Sequence, residues 1–401
     1  MIDLSEIKEI TRSSPSKIVL LVLDGLGGLP HPKTGRTELE TARTPNLDRL
    51  ALEGICGLVD TVSIGITPGS APGHLALFGY DPLRFTVGRG VLEALGIDFP
   101  LETGDVATRG NFCTIDQKGI VIDRRAGRIS TEICTELCRL LDGMTINNVK
   151  ALVSPVREHR FITVFRGDNL SSRLSDSDPQ REGSPPQAVM PLVTEAARTA
   201  HVANEFISRA KTTLADRYPT NMVLLRGFAG YPDFPKMSEV FGVKPAAIAS
   251  YPMYRGLAKA VGMDVLPTGS AFIEELATLA QYFDAYDFFF LHVKETDTAG
   301  EDGDFDRKVR VIEEIDTALP GLTRLDPDVI IVTADHSTPA ILKGHSWHPV
   351  PLLLRSKWCR QDDVNQFSER ACSRGSLGRL RGSDIMPLAL ANALKLGKYG
   401  A

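Results

Sequence analysis

Cysteine and long hydrophobic runs are what this sequence has least of. The chain of 401 residues has six cysteines, which show neither a paired metal spacing nor the density of a secreted disulfide scaffold. No apolar run approaches the roughly 20 residues of a membrane-spanning helix, and the start of the chain lacks the basic flank and apolar stretch of a signal peptide. We therefore expect reduced thiols, no membrane partner and a cytoplasmic location.

The sequence also lacks a surplus of positive charge. It has 45 Lys and Arg against 50 Asp and Glu, a net charge of −5 and a pI near 6.0. This balance disfavours nucleic acid as the main partner, and a small anion would need a local basic site. With 43% hydrophobic residues, the chain can form two domains or one domain with a large insertion. Composition does not determine the oligomeric state, and a homo-oligomer is one of the options.

Four short apolar runs predict buried strands. They occupy residues 17–23, 287–293, 328–333 and 350–354, and each ends abruptly in polar residues. Continuous rather than alternating apolar runs are typical of a parallel sheet that is covered on both faces. Together with the helical patterns between them, the runs predict an α/β core with a doubly wound, mostly parallel sheet. Ligands of such sheets bind beyond the carboxyl ends of the strands.

The middle of the chain predicts an inserted α+β domain. Its apolar runs are shorter, and a polar, proline-bearing stretch at 168–191 interrupts them. We place the insertion at residues 101–233, which leaves 1–100 and 234–401 for the core. Residues 171–186 predict a mobile loop, because Ser, Asp, Pro and Gly cannot build a core.

Acidic and histidine side chains cluster around the ends of the predicted core strands. Singly, such residues are usually helix caps or surface groups. Their joint placement at strand ends predicts one shared site. Carboxylates and imidazoles suit Mn²⁺ or Zn²⁺, and two ions would balance so many carboxylates. In chain order the candidates are Asp24, Asp297, Glu301, Asp335, His336 and His345.

A candidate nucleophile lies in the stretch Thr-Pro-Gly-Ser-Ala-Pro-Gly-His at residues 67–74. Its small residues and prolines predict a tight turn that opens a helix, which exposes Ser70 at a helix N-terminus. Backbone N–H groups and the helix dipole favour a phosphate there, and a metal on the hydroxyl can produce an alkoxide at neutral pH. By itself, a serine in such a loop would rather be a helix cap.

Basic residues in the predicted insertion could hold an anionic substrate. Arginine presents a planar fork that matches phosphate and carboxylate oxygens. For any single arginine, a solvated surface position is an equally good interpretation. The candidates for substrate binding are Arg109, Asp123, Arg124, Arg128 and His159 in the insertion and Arg255 in the core.

Longer motifs run nearly from end to end of the chain. They include Leu-Asp-Gly-Leu-Gly-Gly at 23–28, Thr-Pro-Gly-Ser-Ala-Pro-Gly-His-Leu-Ala-Leu-Phe-Gly-Tyr-Asp-Pro at 67–82, Asp-Arg-Arg-Ala-Gly-Arg at 123–128, Ser-Asp-Ser-Asp-Pro at 175–179 and Thr-Ala-Asp-His-Ser-Thr-Pro at 333–339. By these motifs the chain resembles the cofactor-independent phosphoglycerate mutases of archaeal type, within the alkaline phosphatase superfamily.

The resemblance implies a fold, a reaction and a site. An alkaline-phosphatase-like core would carry the insertion as a cap that excludes water, because water would otherwise hydrolyse the phosphoserine. The family interconverts 3-phosphoglycerate and 2-phosphoglycerate through a phosphoserine, here on Ser70, without 2,3-bisphosphoglycerate. One divalent ion would be held by Asp24, Ser70, Asp335 and His336. The other would be held by Asp297, Glu301 and His345. Mn²⁺ or Zn²⁺ is favoured over Co²⁺ or Mg²⁺.

Two residues depart from the family's pattern. Glu301 stands where the family has a histidine, and His348 stands where a non-basic residue commonly precedes Pro-Val-Pro. Glutamate can ligate Mn²⁺ or Zn²⁺, so one expectation is a site with an altered metal preference, with His348 as a second candidate for the ligand position. The other is a weakened second site and a different substrate. The alternatives are a phosphatase or a homoserine-kinase-like transferase on the same scaffold, or a binding protein that has lost turnover.

Overall fold

The computed structural model describes residues 3–400, which divide into two compact units. The first unit comprises the chain up to Thr86 and again from Phe234 onward, and the second unit runs from Val87 to Asp233. No helix within residues 3–400 is long and apolar enough to cross a membrane.

The described residues form two sheets. In chain order the strands are β1 (Ile18–Leu23), β2 (Ile55–Asp60), β3 (Val106–Ile115), β4 (Val121–Asp123), β5 (Met144–Ile146), β6 (Val149–Arg157), β7 (Arg160–Arg166), β8 (Met222–Gly230), β9 (Pro245–Ile248), β10 (Asp264–Val265), β11 (Phe288–Val293), β12 (Val329–Thr333), β13 (Val350–Ser356) and β14 (Gly378–Arg381).

Helices connect and cover these strands. In chain order they are α1 (Leu4–Ile10), α2 (Glu38–Thr41), α3 (Pro45–Leu52), α4 (Ser70–Leu77), α5 (Arg89–Gly96), α6 (Thr131–Leu141), α7 (Ala197–Thr213), α8 (Met237–Phe241), α9 (Pro252–Ala260), α10 (Phe272–Tyr282), α11 (Glu295–Asp302), α12 (Phe305–Ala318), α13 (Pro320–Thr323), α14 (Glu369–Cys372) and α15 (Ile385–Asn392).

The first unit is built on an eight-stranded sheet in the order β10-β9-β11-β1-β12-β13-β2-β14. Neighbouring strands are parallel, except that β13 runs antiparallel to both β12 and β2. Every residue of β1, β11 and β12 is buried, which explains their continuous apolar sequence. The predicted α/β fold with a mostly parallel sheet is confirmed, and β13 joins it in the opposite direction.

Three adjacent parallel strands of this sheet bring their carboxyl ends together. β1 pairs with β11 on one side and with β12 on the other, and Leu23 lies opposite Val293. Segments that leave these three strands therefore share one edge of the sheet. Their first residues are Asp24, Lys294 and Ala334.

The second unit is built on an antiparallel sheet in the order β4-β3-β7-β6-β5, with β8 also paired to β3. The unit begins at Val87, whereas the sequence placed the start of the insertion at residue 101. The reason is that α5 packs on this sheet. A Cβ added at Gly90 of α5 would lie 2.5 Å from the carbonyl oxygen of Ala107 in β3, so helix and strand backbones are in direct contact.

The segment 171–186, whose composition predicts a mobile loop, is hydrogen-bonded to β8 through Asp176 and Ser177. The Ser177 hydroxyl accepts a hydrogen bond from the Leu225 N–H at 2.8 Å, and the Ser177 N–H donates to the Leu225 carbonyl, also at 2.8 Å. A carboxylate oxygen of Asp176 accepts from the Gly227 N–H at 2.7 Å. Polar side chains therefore tie this segment to the backbone of β8, which a rule based on apolar content does not anticipate.

A substitution at Gly110 in β3 tests how tightly the core of the second unit is packed. A Cβ at this position would lie 2.2 Å from the ring of Phe161, which is fully buried. We expect Gly110→Ala to lower the free energy of unfolding by about 1–3 kcal/mol, because the ring cannot move without disturbing the core. Urea denaturation followed by circular dichroism measures the change.

Gly230→Ala is the matched control, because a Cβ on this strand glycine meets nothing closer than 3.9 Å. Its effect should stay within about 0.5 kcal/mol. Equal losses of stability in both variants would contradict the packing argument.

Candidate active site

Three buried carboxylates meet at the shared edge of β11, β1 and β12. Asp24 follows β1, Asp297 lies in the first turn of α11 after β11, and Asp335 follows β12. All three side chains are 0% exposed. The structure thus brings together acids that lie far apart in the sequence, as their positions after parallel strands predicted.

The carboxylates and two histidines form two groups with the spacing of metal ligands. The first group is Asp24, Asp335 and His336, and the second is Asp297, His336 and His345. His336 Nε2 is 3.3 Å from Asp24 Oδ1 and 3.1 Å from Asp335 Oδ2. His345 Nε2 is 3.7 Å from Asp297 Oδ1. The His336 and His345 rings stack with their centroids 3.6 Å apart, so the two groups adjoin.

The oxygens of the first group fit a divalent cation. Asp24 Oδ1 and Asp335 Oδ2 are buried and accept no well-aligned hydrogen bond in the described part of the chain, although imidazole nitrogens lie 3.1–3.3 Å from them. A buried carboxylate oxygen without a donor costs free energy, and a metal ion is one of the few groups that can satisfy it. Carboxylate oxygen together with imidazole nitrogen is a donor set that suits Mn²⁺ or Zn²⁺.

The orientation of His336 is set by Thr338. The Thr338 hydroxyl donates to Asp297 Oδ1 at 2.6 Å and lies 3.0 Å from His336 Nδ1. Because the hydroxyl proton is already used, the Thr338 oxygen accepts from the Nδ1–H of the ring, and Nε2 faces Asp24 and Asp335. Such support from a neighbouring hydroxyl orients a metal-binding imidazole.

Charges of opposite sign balance one another in the first group. Burial and Asp335 raise the pKa of Asp24, but Lys294, His292 and His336 outweigh them and lower it to about 2. Burial lowers the pKa of His336, but its carboxylate neighbours raise it to about 9. Burial also raises the pKa of Asp335, yet His336 and other neighbours hold it well below its usual range. The carboxylates therefore stay ionised although they are buried.

Ser70 lies at the first group. It is the first residue of α4, and its Oγ is 3.4 Å from His336 Nε2. His74, one turn later, places Nδ1 2.8 Å from the Ser70 carbonyl oxygen and 3.2 Å from Asp335 Oδ2. Gly73 allows the close approach, since a Cβ there would lie 2.4 Å from the Asp335 carbonyl oxygen. The predicted nucleophile and the predicted ligands are thus neighbours.

The second group is tied to the segment before Ser70. His345 Nδ1 is 2.9 Å from the Pro68 carbonyl oxygen, which leaves Nε2 directed at Asp297. Glu301 lies one turn after Asp297 on α11, is 55% exposed, and has Oε1 3.8 Å from His345 Nε2. Glu301 is therefore at the rim of the group and not among the atoms that form it.

His348 takes part in neither group. Its Nδ1 is 3.1 Å from the Ser346 hydroxyl, and its ring stacks on that of Trp347. The structure therefore gives no support to His348 as the ligand that replaces the family's histidine.

Three side chains that the sequence did not single out surround Asp24. The Tyr254 hydroxyl donates to Asp24 Oδ2, and His292 Nε2 and Lys294 Nζ lie 3.0 Å and 3.2 Å from the same oxygen. His292 could have been noticed as the polar residue in the apolar run of β11. Lys294 lies three residues before Asp297, a spacing that places two side chains on one helical face.

The second unit gathers arginines. The arginine cluster consists of Arg89, Arg109, Arg160 and Arg226, and of these the sequence singled out Arg109. Arg109 is 6% exposed, and its guanidinium lies 3.6 Å from the Glu93 carboxylate, which is also 3.8 Å from Arg89. The Nε atoms of Arg89, Arg109 and Arg160 are buried without a hydrogen-bond partner in the described residues. Burial, and then the neighbouring Arg89, lower the pKa of Arg109 to about 10.

His159 is buried beside the arginines. Its Nδ1 has no hydrogen-bond partner among the described residues. Burial lowers its pKa to about 3, with Arg160 and Arg109 acting in the same direction. The ring is therefore neutral near pH 7.

The other predicted substrate residues have varied surroundings. Arg124 makes two hydrogen bonds to Asp178, at 3.0 Å and 2.6 Å, so the fork of this guanidinium already has a carboxylate partner. Asp123 accepts from the N–H groups of two residues of the following turn, which is a structural role. Arg128 is exposed. Arg255 lies on α9 in the first unit, directly after Tyr254.

Comparison with known proteins identifies the family. The family model described as "2,3-bisphosphoglycerate-independent phosphoglycerate mutase" matches residues 51–221. A protein of Thermus thermophilus named "Probable 2,3-bisphosphoglycerate-independent phosphoglycerate mutase" is 51% identical over 400 residues, which cover 98% of either chain. The chain belongs to this family. The resemblance that the motifs indicated and the assignment as an enzyme are confirmed.

Solved structures agree with this mutase family. The cofactor-independent phosphoglycerate mutase of Thermoplasma acidophilum matches 94% of this mutase and 100% of its own chain, with 32% identity and a TM-score of 0.71. The match to a protein of Pyrococcus horikoshii covers 96% of this mutase and 99% of that protein, with 31% identity and a TM-score of 0.83. As its name says, the family works independently of 2,3-bisphosphoglycerate.

Proposed function

We propose that this enzyme interconverts 3-phosphoglycerate and 2-phosphoglycerate through a phosphoserine on Ser70, at a site that binds two divalent metal ions. The observation that carries the proposal is the position of Ser70 Oγ, 3.4 Å from His336 Nε2. The same nitrogen lies 3.3 Å from Asp24 Oδ1 and 3.1 Å from Asp335 Oδ2. A hydroxyl among cation-binding groups at a helix N-terminus can lose its proton and afterwards hold a phosphoryl group.

The proposed reaction has two halves and consumes no water. In the first, Ser70 Oγ forms a bond to phosphorus while the bond from phosphorus to the 3-oxygen of the substrate breaks, and the proton lost by the serine is returned to that oxygen. In the second, the 2-oxygen of glycerate bonds to phosphorus while the bond from phosphorus to Ser70 Oγ breaks, and the proton lost by the 2-hydroxyl is returned to Ser70 Oγ. His74 contacts both the Ser70 carbonyl and Asp335, and so orients the nucleophile.

Two sets of residues would hold the ions. Bound divalent ions would lower the pKa of the Ser70 hydroxyl and offset the charge of the phosphoryl oxygens. These carboxylate and imidazole ligands suit Mn²⁺ or Zn²⁺ better than Co²⁺ or Mg²⁺. One set is Asp24, Ser70, Asp335 and His336. The other set is Asp297, Glu301 and His345.

The arginine cluster would bind the anionic groups of the substrate. Buried guanidinium N–H groups without partners favour a carboxylate or phosphate, because charge-assisted hydrogen bonds would satisfy them. We assign substrate contacts to Arg109, Arg128, His159 and Arg255 and a supporting role to Asp123 and Arg124. The reaction belongs to glycolysis and gluconeogenesis, so we place the enzyme in the cytoplasm, with a small phosphorylated carboxylate as its partner and neither nucleic acid nor a membrane.

Ser70→Ala tests the phosphoserine. We expect it to lower kcat by more than about 10³-fold with the fold intact, because no other group is proposed to receive the phosphoryl. An enolase-coupled assay follows 2-phosphoglycerate, and a phosphate assay run in parallel separates a mutase from a phosphatase. Ser208→Ala, on the exposed face of α7, is the control. Near-normal turnover by Ser70→Ala would rule out the phosphoserine.

Glu301→Ala tests the second ion. The carboxylate is 3.8 Å from His345 Nε2 and lies one helical turn after Asp297. We expect this variant to bind one ion where the parent binds two and to lose most activity, while Glu301→His retains activity with Zn²⁺ or Co²⁺. Metal analysis after gel filtration gives the count. Asp302→Ala on the same helix is the control. If Glu301→Ala still binds two ions and turns over normally, Glu301 is a surface acid and not a metal ligand.

Arg124→Ala and Arg128→Ala separate structure from substrate binding. Arg128→Ala should lower kcat/KM by about 10- to 100-fold and leave Tm unchanged, if its exposed guanidinium binds a substrate oxygen. Arg124→Ala should also lower Tm, because it leaves the buried Asp178 carboxylate without its strongest partner. Arg139→Ala on α6 is the control. Parental kcat/KM in Arg128→Ala would remove this residue from the substrate site.

A further inference from the structure

Lys294 contacts both ligand groups of the first unit. Its ammonium is 3.2 Å from Asp24 Oδ2 and 2.5 Å from Asp297 Oδ2, and it donates to the Tyr254 hydroxyl oxygen at 3.2 Å. An ammonium has three N–H donors, and these three acceptors use all of them. Only 23% of the side chain is exposed, so water can do little to loosen the contacts.

The two carboxylates that Lys294 holds turn their other oxygens to the ligand groups. Asp24 Oδ1 is 3.3 Å from His336 Nε2, and Asp297 Oδ1 is 3.7 Å from His345 Nε2. A single ammonium therefore holds Oδ2 of one carboxylate in each group and leaves Oδ1 of each to face the imidazoles.

A second buried lysine differs from Lys294 in what it contacts. Lys308 is 0% exposed and donates to the backbone carbonyl oxygens of Gly25, Gly27 and Thr338 at 2.8–3.1 Å. Those contacts hold loops together. The contacts of Lys294 are instead with the side chains that would bind the ions.

We infer that Lys294 is a positioning residue that couples the two metal sites, by holding Oδ2 of Asp24 and Oδ2 of Asp297 so that each carboxylate offers Oδ1 alone. The inference rests on the proposed two-metal function. An aspartate without such a restraint can bind one ion with both oxygens, which raises the coordination number and leaves fewer positions for substrate. Lys294 would thus act through the ligands and not on the substrate.

Lys294→Met, in the full-length enzyme, removes the charge and the donors while keeping a long side chain. With both sites saturated with Mn²⁺, we expect kcat to fall by about 10- to 100-fold while KM for 3-phosphoglycerate changes little. With Co²⁺ as the bound ion, the visible absorption should weaken as Asp297 becomes bidentate, whereas Asp24 Oδ2 keeps its contacts with Tyr254 and His292. Lys294→Arg keeps the charge and the donors and should restore the Co²⁺ spectrum and part of kcat. Lys357→Met, on an exposed lysine, should match the parent.

Three results would overturn the inference. If Lys294 only supports the fold, Lys294→Met would lower the Tm of the metal-free protein. The Co²⁺ spectrum and the kcat of the metal-loaded variant would then stay unchanged. A raised KM with an unchanged kcat would show a substrate contact instead. Calorimetric titration of the parent with Mn²⁺ separates the two proposals. Fewer than two ions would refute the two-metal function and the inference with it, whereas two ions and an unchanged Lys294→Met spectrum would refute the inference alone.

Discussion

The burial of three carboxylates at one edge of a parallel sheet is the constraint on which the first unit depends. Asp24, Asp297 and Asp335 are each 0% exposed, and ionised groups are stable in such a place only when other charges or donors compensate them. Lys294 and His336 supply part of the compensation. Asp24 Oδ1 and Asp335 Oδ2 accept no well-aligned hydrogen bond in the described residues, so the chemistry of the site is set by a local excess of negative charge.

The loops around these carboxylates are shaped by close backbone contacts. Lys308, fully buried, joins the loop after β1 to the loop after β12 by donating to carbonyl oxygens of both. Gly25 has φ +65°, and a Cβ there would lie 2.6 Å from Thr338 Oγ1 and 2.7 Å from Asp297 Oδ1. A side chain at that position would push apart the residues that orient His336. The precision of the ligand groups therefore rests on main-chain packing as much as on the ligands themselves.

Each unit contains a cluster of charged side chains, and the two clusters are opposite in sign although the net charge of the chain is only −5. The first unit collects carboxylates and the second collects guanidinium groups, several of them with buried N–H donors that lack a partner among the described residues. Local electrostatics of this kind can bind cations in one unit and anions in the other. A net charge near zero therefore says little about what such a protein binds.

The sequence by itself determined the fold class and the convergence of three acids at one edge of the sheet. Short continuous apolar runs are typical of strands that are covered on both faces. Residues that follow adjacent parallel strands share an edge of the sheet, and this brought Asp24, Asp297 and Asp335 together. Only the tertiary structure decided which other groups meet them. Tyr254 and His292 contact Asp24 although they lie 230 and 268 residues away in the sequence. Asp178, in a segment whose composition predicted a mobile loop, accepts hydrogen bonds from the Arg124 guanidinium. Glu301 has the spacing of a ligand but turns largely to solvent. Spacing along the chain fixes the side of a helix or the end of a strand, whereas partners and side-chain directions depend on packing between distant segments.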